Sequence, residues 1–227
     1  MILIKPSFEI LKIMCNYIDL DQMIKEDPLQ LIEYAGRTCY KSEDKITPDS
    51  AKDFVKRILK SGHESVIEHS AMTVKVICDR GVTHEIVRHR IGSYSQESTR
   101  YVNYKGGCTF VIPPWIKTII SGQFKIKSTM KLTNCNDATE QWFNAMLYAE
   151  AAYTRLLDEG WTPQQARSVL PNSTKTEIVI TYNFREWRHF FKLRTSNAAH
   201  PQMQEIARPL LDKCKELIPV IFDDITY

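Results

Sequence analysis

Two stretches of this chain alternate apolar and polar residues with a period of two, and the helical patterns around them do not recur as strand–helix–strand units. Met72, Val74, Val76 and Cys78 alternate with Thr73 and Lys75, and residues 175–182 alternate in the same way. That period turns successive side chains to opposite faces and predicts half-buried strands. Another strand is predicted in the first residues, giving way to irregular structure by about residue 18, and a short one over Thr109–Pro113. Helices intervene singly. Asp27-Pro28 opens one that runs to about Tyr40, and Thr47-Pro48 repeats the device for a helix with Ala51, Phe54, Val55, Ile58 and Leu59 on one face, stopped by Gly62. A short helix is predicted over Gly81–His89, and polar, extended or irregular chain over 91–105. Asp137-Ala138-Thr139-Glu140 has capping-box spacing and precedes a long helix to about Glu159, with Trp142, Phe143, Met146, Leu147, Tyr153, Leu156 and Leu157 inward. Thr162-Pro163 opens a short helix ending near Leu170-Pro171. Asn183 caps another that carries Phe184, Trp187, Phe190 and Phe191 on one side, and a last helix is predicted over 201–217. Residues 116–136 carry no readable pattern. Interspersed but unrepeated elements predict an α+β fold, and 227 residues suffice for one domain over 1–227.

Several function classes are disfavoured. The chain has only eight glycines and contains no Gly-x-Gly-x-x-Gly turn, no Walker loop and no Gly-x-Ser-x-Gly elbow. A nucleotide cofactor would therefore bind without a Rossmann turn. A net charge of +3 is too small to argue for a nucleic-acid or membrane partner. No apolar run approaches the roughly 18–20 residues of a membrane span. The N-terminal residues lack a signal-peptide layout, so a cytoplasmic protein is expected. The cysteines at 15, 39, 78, 108, 135 and 214 form no Cys-x-x-Cys pair and read as reduced, buried thiols.

Residues 88–101 are the densest in chemistry. Arg88, His89, Arg90 and Arg100 interleave with Ser93, Ser95, Gln96, Ser98 and Thr99, and Tyr101 follows. Arginine offers a planar fork of donors to anions and stacks on rings. The segment suits a phosphate-rich small molecule, an RNA backbone, or merely a solvated basic face. Gly62-His63-Glu64-Ser65 through Glu68-His69 places histidines six apart, which is not a metal-ligand spacing on a helix. In the helix after Asn183, Glu186 completes a capping box, and Arg185, Arg188, His189 and Lys192 lie opposite the aromatic face as a cationic stripe.

Together these segments resemble the flavin-dependent thymidylate synthases. The family hallmark, Arg-His-Arg-x-x-Ser-x-x-x-x-Ser-x-Arg, is matched at every fixed position from Arg88 to Arg100. Gly62-His63 through Glu68-His69, Arg167 before Leu170-Pro171, and Asn183-Phe184-Arg185 through Leu193-Arg194 resemble three further family segments in the right order. The resemblance implies a single α+β domain with a central mixed or antiparallel sheet flanked by helices. It also implies a homotetramer with shared active sites, FAD held without a Rossmann fold, and conversion of dUMP to dTMP. 5,10-Methylenetetrahydrofolate would be the carbon donor and NADPH the reductant, with no cysteine nucleophile and no metal.

Residue roles carry over by position. Arg88, His89 and Arg90 would contact FAD, with Ser65 and Gln96 near its phosphates or adenosine. Asn183, Arg185 and His189 would lie at the flavin end. Glu85, Arg88, Ser98, Thr99, Arg100 and Arg167 would hold dUMP. Arg194 would contact the uracil edge and favour loss of its N3 proton, and His63 would stack near the folate or flavin face, so that Arg194, His63 and Ser98 form the catalytic set. Many relatives carry glutamine where this chain has Glu85. Apart from the resemblance, two other readings remain open. One is a module binding single-stranded nucleic acid through Arg88, Arg90, Arg185, Arg188 and nearby tyrosines; the other is a metal hydrolase built on His63, Glu68 and His69.

Overall fold

A computed structural model describes residues 1–119, 121–123 and 137–227 apart from 15, 20 and 21, and gives the backbone alone for the remaining residues between 16 and 26. Strands β1 (Ile2–Ile4) and β2 (Ser7–Ile13) open the chain, and β3 (Asn16–Asp19) pairs antiparallel with β4 (Gln22–Glu26). The irregular structure expected before residue 18 is therefore mostly strand. The pattern hid it because β2 lies at the end of its sheet and none of its residues is fully buried.

Helix α1 (Pro28–Thr38) begins as predicted, with Asp27 Oδ1 accepting from Leu29 N at 2.8 Å and Pro28 at the first position. Helix α2 (Ser50–Lys60) starts after the Thr47-Pro48 signal rather than at it. The Thr47 N–H donates to Ser50 Oγ and the Ser50 N–H to Thr47 O, so those residues form a turn leading into the helix. A 3-10 helix (Glu64–His69) leads to β5 (Ala71–Asp79), α3 (Arg80–Ile86) and β6 (Ser93–Gln96). Then come β7 (Thr109–Val111), β8 (Gly122–Gln123), α4 (Asp137–Asp158), α5 (Pro163–Ala166) and a 3-10 turn (Arg167–Val169). Strand β9 (Lys175–Asn183), α6 (Phe184–Arg194), α7 (Pro201–Leu217) and the unpredicted α8 (Pro219–Phe222) complete the order. The sequence placed Asp137 as the cap of α4; it lies inside the first turn instead.

The fold is α+β, with mixed and antiparallel sheets. β1 pairs parallel with β7 and antiparallel with β8. β2, β5, β9 and β6 are neighbours in that order in a four-stranded sheet. Strands β5 and β9 alternate as the period-two pattern requires: Met72, Val74, Val76 and Cys78 are buried on one, Thr176, Ile178, Ile180 and Tyr182 on the other.

The chain divides into two compact units. The first comprises Met1–Ser7, Val76–Arg88 and Ser95–Ile178. Its core sets Leu3, Phe110 and Ile112 with Phe143, Met146 and Tyr153 of α4. Trp142, Leu147, Leu156 and Leu157, expected inward, are only partly buried. The second comprises Phe8–Lys75, His89–Tyr94 and Val179–Tyr227. Its core is aromatic: Tyr182, Trp187, Phe190, Phe191, Phe184 and Phe222 are linked by ring contacts 4.7–6.1 Å apart. The indole N–H of Trp187 donates to Met72 O at 2.9 Å, so the largest core side chain buries no unpaired donor. Among the described residues, no helix is long and apolar enough to cross a membrane.

Candidate active site

In the second unit, α6 positions most of the chemistry. Asn183 ends β9 and caps α6, its Oδ1 accepting from Glu186 N at 2.8 Å, a bond of a kind worth about 1 kcal/mol. The Glu186 carboxylate does not complete the predicted capping box. It is buried and lies 2.8 Å from His89 Nδ1. The other ring nitrogen, Nε2, accepts from Arg194 Nε at 3.1 Å. Arginine has no acceptor, so this contact requires a lone pair on Nε2 and places the imidazole proton on Nδ1, donated to Glu186. Burial pushes the His89 imidazole below 6.5; the Glu186 hydrogen bond opposes that shift, while Arg194 and His189 add to it. The ring is thus neutral at physiological pH.

The backbone around His89 is equally tied. The Tyr94 hydroxyl donates to His89 O and lies 2.8 Å from the Tyr182 hydroxyl. Gly92 passes against the Tyr182 ring, where a Cβ would sit 2.3 Å from ring carbons, so no other residue fits without movement. His89, Glu186 and His189 have ligand atoms within 4.8 Å of one another. Both nitrogens of His89 are already engaged, by Glu186 and Arg194, and His189 meets its ring edge-on at 5.4 Å between centroids; a cation there would have to displace a guanidinium. His63, Glu68 and His69 do not form such a cluster among the described residues.

A cleft of about 390 Å³ lies along α6 and is lined by Ile91, Asn183, Arg185, Glu186, His189 and Lys192, with Glu64 and Glu68 from the 3-10 helix. Arg185 pairs with Glu68 at 2.5 Å and Lys192 with Glu64 at 3.5 Å; both cations are exposed, as is Glu68, while Glu64 is partly buried. Exposed pairs of this kind are worth about 0–1 kcal/mol, so both cations can turn to an incoming anion. Arg188 departs from the predicted solvated stripe. It is buried, forms a two-pronged pair with Asp224 at 2.6 and 2.7 Å, reaches Glu64 at 3.2 Å and donates to Ile221 O. The sequence missed this because residue 188 lies on the flank of the apolar face, where Asp224, far along the chain, supplies the counter-charge. His63 is not in the α6 cleft. It is exposed and lines a second cavity of about 610 Å³ with Arg37, Lys45 and Arg57. Ser65 is also exposed, on the 3-10 helix.

In the first unit, the later half of the motif gathers around a short helical stretch. The buried Thr99 hydroxyl accepts from Arg167 at 3.3 Å, and Arg100 Nε donates to Gln164 Oε1 at 2.9 Å. Ser98 Oγ accepts from Arg100 N at 3.3 Å. The Gln96 amide donates to Thr83 and Thr176 hydroxyls at 3.0 and 3.3 Å. Glu97, a variable motif position, accepts from Tyr104 at 2.5 Å and Lys175 at 2.8 Å. Burial resists charge on Lys175, but the hydrogen bonds it donates to Glu177 and Glu97 outweigh that and raise its pKa. Glu85 is half-buried on α3, where its backbone carbonyl accepts from Arg88 N at 3.2 Å. The side chains of Arg88, in this unit, and Arg90, in the second, are exposed and pair with no described carboxylate. Sequence reasoning gave no site role to Glu186, Tyr94, Tyr182, Glu64 or Gln164; Glu186 was marked only by its spacing from Asn183, and Glu64 only as part of the Gly62–His69 segment.

Comparison with known proteins places this geometry. Residues 20–220 match the thymidylate synthase complementing protein family. A flavin-dependent thymidylate synthase of Corynebacterium efficiens is 35% identical over 202 residues, covering 86% of this chain and 78% of that protein. One from Geobacter sulfurreducens is 34% identical over 206 residues, covering 87% and 82%. The crystal structure of a UMP/dUMP methylase, PolB from Streptomyces cacaoi, bound with 5-Br dUMP, superposes with a TM-score of 0.72 at 25% identity, covering 98% of this chain and 96% of that one. With the hallmark motif intact from Arg88 to Arg100 and the family match spanning both units, this chain belongs to the flavin-dependent thymidylate synthase family.

Proposed function

We propose that this chain is a thymidylate synthase that reductively methylates dUMP to dTMP, using FAD, 5,10-methylenetetrahydrofolate and NADPH, and releasing tetrahydrofolate. The observation that carries the reading is the α6 cleft: Asn183, Arg185 and His189, three residues that the family resemblance of the 183–194 segment assigns to the flavin, line one cavity beside the apolar Ile91. That donor set fits a planar, anionic ligand, because amide, imidazole and guanidinium groups offer hydrogen bonds while Ile91 offers an apolar surface. Bound there, FAD would supply the hydride chemistry. The exposed Arg88 and Arg90, with His89, Ser65 and Gln96, are the further residues we assign to it.

Thr99, Arg100, Arg167, Ser98, Arg88 and Glu85 are assigned to dUMP. The paired arginines suit its phosphate, and Thr99 holds Arg167 in place. Arg194 would stabilise the uracil as negative charge develops on loss of the N3 proton, as a fixed donor does for a developing anion. His63 would face the folate or flavin, and Ser98 the pyrimidine. No thiol is poised as a nucleophile among the buried cysteines: burial pushes Cys108 and Cys214 up to about 12, and Cys78 higher still. We further propose that the whole chain works as one domain, in a cytoplasmic homotetramer whose subunits share active sites. The test is a spectrum and a turnover assay. Purified protein incubated with FAD and dUMP should show bound-flavin bands near about 375 and about 450 nm and form dTMP from the complete mixture. Absence of both would sink the reading, and strong salt-sensitive oligonucleotide binding in their place would favour a nucleic-acid module.

A further inference from the structure

We infer that Glu186 is a positioning residue for Arg194, acting through His89: by accepting the Nδ1 proton it leaves Nε2 as the acceptor that aims the guanidinium. The inference rests on the role proposed for Arg194.

The chain of contacts is short, buried at Glu186 and His89 and half-buried at Arg194. Glu186 meets Nδ1 at 2.8 Å and Arg194 Nε meets Nε2 at 3.1 Å. Without an acceptor at Nδ1 the ring is free to carry its proton on Nε2. An Nε2–H would then face an Arg194 N–H, two donors with no acceptor between them, and the guanidinium would swing away. Glu186 thus acts on Arg194 only through the His89 ring, and decides which way the guanidinium points. The motif contains no signal for it, because the partner lies 97 residues beyond His89.

Protonation of His89 would have the same effect as the wrong tautomer, so the arrangement carries a pH signature. The groups facing the ring are Glu186, His189 and Arg194 on α6, Tyr182 on β9 and Tyr94 on β6. Burial raises both phenols, so they stay neutral in acid. The charges that bear on His89 are therefore Glu186, which favours its protonation, and Arg194 and His189, which oppose it. As pH falls through the folded pKa of His89, below 6.5, the Arg194 Nε–H loses the Nε2 lone pair that receives it and turnover falls. Removing the Glu186 charge lowers that pKa, so the acid limb must move to lower pH.

The experiment compares Glu186→Ala, Glu186→Gln and Arg194→Ala in the FAD-bound enzyme, by turnover against pH and by ¹⁵N spectra of histidine-labelled protein. In wild type at neutral pH, His89 should carry its proton on Nδ1. Glu186→Ala should shift it towards Nε2 and lower kcat about 10- to 100-fold, the loss typical when a group that only orients a ligand is removed. Glu186→Gln has the same shape, and its amide oxygen can accept the same proton. It should recover much of kcat while its acid limb still lies below that of wild type, a split that lost packing would not produce. An Nε2–H tautomer in wild type, or a Glu186→Gln acid limb at the wild-type pH, overturns the inference even should Glu186→Ala fail to fold. Undiminished turnover in Arg194→Ala instead overturns the reading of Arg194 itself.

Discussion

The two halves of one motif are built on opposite plans. Residues 89–94, in the second unit, are fixed from several sides. His89 is 4% exposed and bonded through both ring nitrogens, its carbonyl accepts from Tyr94, and Gly92 is pressed to Tyr182. Residues 98–101, in the first unit, hold cations by single bonds between side chains and neutral groups: Arg100 rests on Gln164, and Arg167, from outside the segment, rests on Thr99. A neutral hydroxyl or amide holds a guanidinium without cancelling its charge, so the second plan leaves cations available to an anion. The first plan removes freedom instead, which is what a group aimed at a reacting ring requires. Fixed spacing in the sequence thus covers two separate demands, precision in one half and open charge in the other.

The largest effect should come from the fixed half. Arg194→Ala is expected to fold and bind flavin as wild type but to lower kcat by about 10²–10³, the range for losing one preorganised donor to a developing anion. Stopped-flow or steady-state dTMP formation checks it. Turnover near wild type would break the comparison at its stronger end.

Arg188, on the same helix, separates rigidity from chemistry. It touches Asp224, Glu64 and the Ile221 carbonyl. Its loss leaves Glu64 and Asp224 partly hydrated, so Arg188→Ala should cost about 2–4 kcal/mol, between surface and fully buried limits. For a chain of this size that is roughly 4–16 °C in Tm. The pair also sets an acid signature. Arg188 holds the Asp224 carboxyl below its ordinary 3.8, so the pair's stabilisation is whole above pH 3.8 and is lost as pH falls through the folded value. A melting temperature unchanged in Arg188→Ala would show that the α6 scaffold does not depend on its buried ion pairs.

The open half should respond in KM. Arg167 is exposed and makes one bond of 3.3 Å to Thr99. Arg167→Ala is expected to raise the KM for dUMP about tenfold, near 1.4 kcal/mol, with little change in kcat or Tm. Added salt should weaken dUMP binding in wild type more than in the variant. A kcat effect as large as that of Arg194→Ala would erase the distinction between the halves.

How much of this was legible follows from range. Periodicity and caps act locally, so α1, α6, α7, β5 and β9 could be read from Asp27, Asn183, the apolar spacing over 201–217 and alternating residues. The motif supplied Arg88 through Arg100, and the neighbouring segments Arg167 and Arg194. What local patterns cannot carry is a partner far along the chain. Glu186 reads as a cap until His89 is beside it, and Arg188 reads as solvated until Asp224 closes over it. The edge strand β2 escaped for a related reason: a strand with little buried surface leaves little pattern.

The smallest effect concerns groups that neither plan uses. Cys78, Cys108 and Cys214 are buried, free thiols, raised by burial until no thiolate forms near neutral pH. Cys39 is free and exposed. If the reaction is driven by a guanidinium aimed at the pyrimidine rather than by covalent attack, each of the six cysteines should tolerate alanine. Turnover should stay within about twofold, since no transition-state contact is lost. The buried three should cost about 1 kcal/mol of stability for the cavity left by sulfur. The informative result is a variant that folds, binds flavin and makes no dTMP. Such a thiol would have to act against its burial, and the division between an aiming half and a charge-bearing half would then lack the group that does the chemistry.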